Sequence, residues 1–146
     1  MPQHDHFYTT SPTGELAPKM GYQSEGIAAW VYTKQQPLTV AVHRWYRAAG
    51  GDHFYTTDAS GEIAASSGYK NEGIVFWVYP DQQSGTMPFY RWYNNETADH
   101  FYTMHAKGEN AQSVGYHQEG ILGYVFLKPG QAETVPLYRW WLSKAD

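Results

Sequence analysis

An aspartate followed directly by a histidine occurs three times in the chain, at a constant step of 47 residues. A carboxylate accepts hydrogen bonds and an imidazole donates and accepts them, so such a pair can bind hydroxyl groups, move a proton or ligate a metal. The equal spacing indicates that the pair has the same role in each of three repeats. The pairs are Asp5-His6, Asp52-His53 and Asp99-His100, and each begins the phrase DHFYT.

An Arg-Trp pair also recurs, shortly before the next Asp-His pair in the chain. We expect the strand that carries this tryptophan to form a hairpin with the strand that follows. Trp45 then faces His53. Tyr46 faces Asp52 in the same register. Closure of the chain ends brings the last tryptophan to the first Asp-His pair.

Each junction then offers an indole plane, a carboxylate and an imidazole, which is the chemistry of a sugar site. The C–H face of a pyranose stacks on an aromatic ring, and its hydroxyls require donors and acceptors. The predicted ligand-binding residues are Trp45, Asp52, His53, Trp92, Asp99, His100, Trp140, Asp5 and His6. A structural interpretation remains open, in which the tryptophans fill the core and the aspartates cap turns.

A glutamate and an arginine recur in every repeat and are interpreted as structural ion pairs. A buried carboxylate and guanidinium remain charged only when they satisfy each other. The pairing is expected within a repeat, or shifted to a neighbouring one. The predicted pairs are Glu25 with Arg44, Glu72 with Arg91, and Glu119 with Arg139.

The elements that position these residues follow the same period. The single domain 1–146 divides into repeats 5–51, 52–98 and 99–146, which share GE, GY and EGI besides the phrases above. Such a period is typical of a repeat architecture with one supersecondary unit per repeat. The sequence of each repeat predicts four elements in order. These are a short strand, a helical turn between two glycines, an apolar strand expected to be buried on both faces, and a final strand.

The predicted fold is therefore all-β. Because the end repeats look like the middle one, a closed three-fold arrangement is favoured over an open solenoid, which needs capping units. We predict a β-trefoil; the alternatives are a three-fold β-prism and a three-bladed, propeller-like closure.

Enzymatic and metal chemistry are disfavoured. A glycosidase needs two carboxylates across one cleft, whereas the recurring acids come in threes that three-fold symmetry spreads around an axis. Phosphate-binding glycine loops, G-x-S-x-G and H-E-x-x-H are absent from the sequence. His4 and His6 form a two-point ligand in the first repeat alone, and a shared site of the three DHFYT histidines is less favoured than local hydrogen bonding. We predict no catalytic residues, no metal and no cofactor.

The composition limits the classes of partner that we expect for this chain. The 146 residues contain no cysteine, carry a net charge of −4 and include 6 tryptophans and 13 tyrosines. Disulfides are thus excluded, and a basic surface for nucleic acid is not expected. No apolar run approaches the roughly 20 residues of a membrane span, and no basic-then-apolar leader precedes the first repeat. We expect no membrane insertion, and either a cytoplasmic location or release without a signal peptide.

The pattern DHFYT, GY, EGI and YRWY, which runs from Asp5 to Trp141, resembles a repeat family catalogued as a domain of unknown function. Domains of this kind occur appended to secreted bacterial and fungal hydrolases and also alone. The resemblance implies a small β-rich module that binds carbohydrate, as trefoil lectins do. This chain differs in carrying tryptophan at positions 45, 92 and 140, where we expect the family to carry leucine or phenylalanine.

We predict a multivalent carbohydrate-binding lectin whose partners are glycans, free or on glycoproteins and cell surfaces. Several weak sites on one rigid body raise avidity by about 10²–10⁴. Formation of a homo-oligomer is left open. The alternatives are a protein-binding trefoil, such as a protease inhibitor, and a purely structural module. An inhibitor would carry its function on one irregular loop, whereas the loops 33–42, 80–88 and 127–136 are about equal in length.

Overall fold

Antiparallel strands dominate the fold. The computed structural model describes residues 3–144, which contain nine strands and three short 3-10 helices. The strands are β1 (Gln3–Thr9), β2 (Gln23–Tyr32), β3 (Val40–Arg47), β4 (Asp52–Thr56), β5 (Lys70–Val78), β6 (Thr86–Asn94), β7 (Asp99–Thr103), β8 (Tyr116–Phe126) and β9 (Thr134–Lys144). The 3-10 helices are Pro18–Met20, Ala65–Ser67 and Ala111–Val114. The all-β prediction is confirmed.

Strand pairing falls into three groups of three. Sheet I contains β9 between β1 and β2, sheet II contains β3 between β4 and β5, and sheet III contains β6 between β7 and β8. Single residue pairs, such as Tyr32 with Trp77 and Trp30 with Phe126, join the outer strands into one continuous hydrogen-bonded network. Each middle strand thus comes from one predicted repeat and its partners from the next. This pairing does not confirm the trefoil.

The first strands of the three repeats, β1, β4 and β7, meet at the centre through a ring of tyrosines. Each hydroxyl of Tyr8, Tyr55 and Tyr102 donates to a backbone carbonyl of another member, at 2.7–2.9 Å. Each also accepts from the backbone N–H of that same residue, at 2.7–2.8 Å. Adjacent ring centroids are 5.4 Å apart. Because all three side chains are buried, these bonds satisfy groups that water cannot reach.

The main apolar core surrounds this ring. It includes side chains from every sheet, among them Val31, Val42, Phe76, Phe89 and Leu137. The second strand of each repeat supplies much of it, but only through its second half. Contrary to the expectation of burial on both faces, the isoleucine of each EGI phrase is about half exposed. These residues are Ile27, Ile74 and Ile121.

Candidate functional site: three equivalent clefts

Three clefts, each lined by the same set of six residues (one Phe, one Tyr, one Arg, one His and two Glu), lie between neighbouring sheets. Their volumes are about 290, 240 and 170 Å³. Cleft 1 is lined by Phe7, Glu15, Tyr22, Arg44, His53 and Glu72. Cleft 2 is lined by Phe54, Glu62, Tyr69, Arg91, His100 and Glu119. Cleft 3 is lined by Phe101, Glu109, Tyr116, Arg139, His6 and Glu25.

An arginine joins the two walls of each cleft. In cleft 1, Arg44 Nε donates to Glu72 Oε1 at 2.7 Å on its own sheet. Its two terminal nitrogens donate to both oxygens of Glu15 on the facing side, at 3.1 and 3.2 Å. The guanidinium also lies over the ring of Phe7, 4.9 Å from the centroid. The same contacts recur in clefts 2 and 3, so each arginine is fixed and neutralised by two carboxylates.

These contacts hold both partners in their charged forms. Burial opposes ionisation of Glu15, but hydrogen bonds from Arg44 and Thr9 outweigh it and lower the pKa of Glu15. Burial likewise disfavours the charged form of Arg44, but the nearby tyrosine and carboxylates raise its pKa. The sequence-based ion pairs form across predicted repeats: the partner of each arginine on its own sheet comes from the next repeat. These contacts are Arg44–Glu72, Arg91–Glu119 and Arg139–Glu25.

A buried aspartate orients the histidine of cleft 1. Asp5 is fully buried, and its Oδ1 accepts the backbone N–H of His53 at 2.8 Å. Its Oδ2 accepts the Tyr22 hydroxyl at 2.5 Å and also contacts His53 Nδ1. The proton of the neutral imidazole is therefore on Nδ1, so Nε2 faces Glu72, with 3.7 Å to Oε1. Burial lowers the pKa of His53 to about 4, despite the opposing effect of Glu72.

The three aspartates of the DHFYT phrases converge at the centre of the molecule. One carboxylate oxygen from each of Asp5, Asp52 and Asp99 lies within 4.8 Å of the other two, which by geometry alone is a set of ligand atoms for a cation. Each carboxylate already accepts three hydrogen bonds, from a tyrosine, a histidine ring and a backbone N–H. Burial and the neighbouring carboxylates raise the pKa of Asp5 well above its ordinary value. The aspartates therefore contact the cleft histidines from behind and do not line the clefts.

The predicted hairpin register was wrong by one residue. Trp45 pairs with Phe54, and Tyr46 pairs with His53. The reason is the turn at 48–51, in which the Gly51 N–H donates to the Arg47 carbonyl at 3.1 Å. Because side chains alternate along a strand, this shift turns the indole to the opposite face. Tyr46 instead lies beside the imidazole, with 4.5 Å between ring centroids.

The recurring tryptophans lie behind the clefts and do not form their walls. Trp45 and Trp92 are 6% and 5% exposed, and Trp140 is half-buried. Trp45 packs with Phe54 behind cleft 2 and against Gly61, where a Cβ atom would lie 2.5 Å from the indole. Gly61 also has φ +79°, which favours glycine. Of the predicted ligand-binding residues, only the three histidines line a cleft.

Sequence reasoning missed several cleft residues. Glu15 and Tyr22, with their equivalents, recur inside the GE and GY phrases, which are interpreted from sequence only as marks of the repeat. Tyr46 and Tyr93 line clefts 1 and 2, and Trp141 takes the same place beside His6, with 4.3 Å between ring centroids. The signal that could have found Glu15 and Tyr22 was the recurrence of the same side chain in every repeat.

Comparisons with known proteins place the chain in one family. Within residues 3–144, no helix is long and apolar enough to cross a membrane. Comparison with curated proteins and with solved structures gives no match. The model of one family, described as "Domain of unknown function (DUF5648)", matches residues 2–126 and again residues 77–146. These two matches overlap, as expected of a chain that repeats itself, and together they span nearly the whole sequence; the chain belongs to the DUF5648 family.

Proposed function

We propose that this protein is a carbohydrate-binding lectin whose three clefts are equivalent sugar sites. The observation that carries the proposal is the recurrence of one constellation in all three clefts. Each combines an aromatic wall, an imidazole Nε2 and carboxylates around one solvent-open cavity. Glycans, free or attached to proteins, are the proposed partners.

The chemistry of cleft 1 fits a sugar ring. Tyr22 and Tyr46 are half-buried, and so present aromatic surface on which pyranose C–H groups stack. His53 Nε2 accepts a hydrogen bond from a sugar hydroxyl, as does Glu72, whose contacts with Arg44 and His53 both use Oε1. The cavity is at or below the lower limit of about 300 Å³ typical of small-molecule sites, which favours a single sugar unit.

Preorganisation supports binding without large rearrangement. The arginine is held by three hydrogen bonds, and the imidazole by the buried aspartate. Side chains already fixed in the free protein lose little conformational freedom when a ligand binds. A shallow sugar site of this kind is weak by itself. Three on one body increase avidity towards a target that displays several sugars.

Binding without catalysis is part of the proposal. A glycosidase needs one carboxyl group that is protonated near neutral pH, in order to donate to the leaving oxygen. In cleft 1 the ion pair with Arg44 lowers the pKa of Glu15 below its ordinary value. Glu62 and Glu109 have lowered pKa values for the same reason, since hydrogen bonds from an arginine outweigh burial.

We also infer that the three sheets are arranged around a three-fold axis. Supporting this are the cyclic hydrogen bonds of the tyrosine ring and the recurrence of every cleft contact. Three strands per sheet, with β1, β4 and β7 meeting at the centre, favour the propeller-like alternative over the trefoil. In this arrangement β9 closes the structure by pairing with β1.

A glycan array followed by calorimetric titration tests the proposal. The wild-type protein should bind at least one glycan, and Tyr46→Ala should weaken binding at cleft 1 because it removes an aromatic wall. Tyr138→Ala is the matched control, since Tyr138 is half-buried on the middle strand β9 and lies outside the three clefts. The proposal is wrong if the array is blank at high protein concentration, or if both variants change binding equally.

A further inference from the structure

We propose that clefts 1 and 3 select sugars that carry a cationic amino group, whereas cleft 2 does not. This inference rests on the proposed lectin function and assigns a ligand class to its sites. It comes from a difference between clefts that are otherwise equivalent. The difference is Arg47, which lines cleft 2 and has no charged equivalent in the other two clefts.

The charge of the lining side chains differs between the clefts. Cleft 1 has two glutamates and one arginine, and cleft 3 has the same composition, so each carries one uncompensated negative charge when its histidine is neutral. In cleft 2 the guanidinium of Arg47 cancels that charge. A ligand with a positive charge is therefore attracted to clefts 1 and 3, and a ligand with a negative charge is repelled from them.

Arg47 also shows where a cation lies in this architecture. Its guanidinium carbon is over the ring of Tyr69, 4.9 Å from the centroid, and its Nε donates to the Ala49 carbonyl at 2.9 Å. Within residues 4–143, no side-chain cation lies over Tyr22 or Tyr116, which occupy the same place in clefts 1 and 3. The protein's own cation thus fills in cleft 2 the position that a ligand ammonium can occupy in the other two.

The residues that replace Arg47 explain why the position is open. Arg47, Asn94 and Leu142 each stand opposite the buried aspartate of a DHFYT phrase. For Arg47 and Asn94 this pairing is part of a hairpin, and for Leu142 it is the pairing of β9 with β1. The equivalent on β9 is Leu142, which is buried and apolar. The equivalent on β6 is Asn94, whose amide donates to the Val114 carbonyl at 3.1 Å and accepts from the turn that follows. Neither brings a positive charge to the tyrosine face.

An amino sugar matches the remaining chemistry. Its ammonium group lies over the tyrosine ring and near a glutamate, where cation–π attraction and ionic attraction act together. Its ring hydroxyls reach the imidazole Nε2 and the free glutamate oxygen. Glu72 in cleft 1 and Glu25 in cleft 3 provide that oxygen, since their contacts with arginine and histidine use Oε1.

Calorimetric titration with three probes of one ring type tests the inference. The probes are glucosamine, N-acetylglucosamine and glucuronic acid, at low salt and about pH 7, where an ordinary imidazole is mostly neutral and the amine of the sugar is largely protonated. Glucosamine should bind more tightly than the neutral probe, by about two- to fivefold, the range of an exposed ion pair, and glucuronic acid more weakly by a similar factor. The wild type should show two sites per chain that prefer glucosamine.

Substitutions at position 47 and at its equivalent in cleft 1 show which cleft gives rise to the preference for glucosamine. Arg47→Leu copies the residue of cleft 1 and should add a third glucosamine site, whereas Arg47→Lys keeps the charge and should add none. Leu142→Arg places a cation in cleft 1 and should leave one site. It provides the second test if Arg47→Leu lowers the melting temperature. The inference is wrong, and the lectin proposal stands, if a glycan is bound but charge on the sugar and at position 47 has no effect. A blank array overturns both.

Discussion

The buried carboxylate of Asp5 on sheet I holds the cleft-facing imidazole of His53 on sheet II. It accepts the His53 backbone N–H at 2.8 Å and also contacts Nδ1 of the ring. The same relationship links Asp52 to His100 and Asp99 to His6. Each aspartate thus couples its own sheet to the next and, at the same time, sets the orientation of an imidazole in the cleft between them.

The first prediction concerns the tyrosine ring. Tyr55→Phe should destabilise the fold by about 2–4 kcal/mol, because the Tyr8 carbonyl and N–H both lose their partner in a buried environment. Tyr32→Phe is the control, since its hydroxyl makes one part-buried contact at 3.2 Å with Tyr79. Urea unfolding of both variants measures the difference. Equal losses would mean that the ring does not stabilise the centre.

Fold class was predictable because it depends on local sequence. The short aromatic and β-branched segments and the 47-residue period predict strands and repetition, and both strand content and the recurring contacts agree. Register was not predictable from spacing alone. A four-residue turn places Arg47 opposite Asp52, and a shift of one residue exchanges which of Trp45 and Tyr46 faces the cleft.

The site was predictable only in part, because its walls come from different repeats. The recurrence of the histidines predicted them as site residues, and each lines a cleft. The facing wall did not follow, since Glu15 and Tyr22 approach Arg44 and His53 only after the sheets are assembled. No local sequence feature indicates that the middle strand of a sheet pairs with strands of the next repeat.

The second prediction separates core tryptophans from cleft aromatics. Trp92→Ala should cost about 3–5 kcal/mol of stability, because the indole is buried with Phe101 and Tyr116 behind cleft 3. Trp141→Ala should cost less, since Trp141 is half-buried, but it should weaken sugar binding at cleft 3, where it lies beside His6. Thermal unfolding and glycan titration of the two variants check this. The assignment fails if Trp92→Ala weakens binding without loss of stability.

The third prediction concerns the ion pair of cleft 1. Glu72→Gln should change the free energy of unfolding by about 1 kcal/mol or less, because the carboxylate is a third exposed and Arg44 keeps both bonds to Glu15. The same change should weaken sugar binding at cleft 1, since it removes a charged acceptor. Denaturant unfolding and calorimetric titration measure the two effects. A loss of several kcal/mol would show that Glu72 is mainly structural.

The last prediction is a pH dependence carried by His53. Its pKa falls from 6.5 to about 4 on folding, mainly because burial disfavours the charged imidazole. A lowered folded-state pKa gives stability that is present above pH 6.5 and is lost as the pH falls towards 4. The loss by linkage is about 3 kcal/mol. The raised pKa of Asp5 acts in the opposite direction, because its protonation on acidification favours the folded state.

A comparison of two proteins isolates the histidine contribution. In His53→Asn the side-chain amide can still donate to Asp5 but does not titrate, whereas the other histidines and acids titrate in both proteins. Urea unfolding of the two proteins between about pH 7 and pH 4 should show a steeper loss of stability in the wild type, with the difference growing below pH 6.5. Parallel curves would show that the imidazole is as easily protonated in the folded state as in the unfolded chain, and that burial does not keep it neutral.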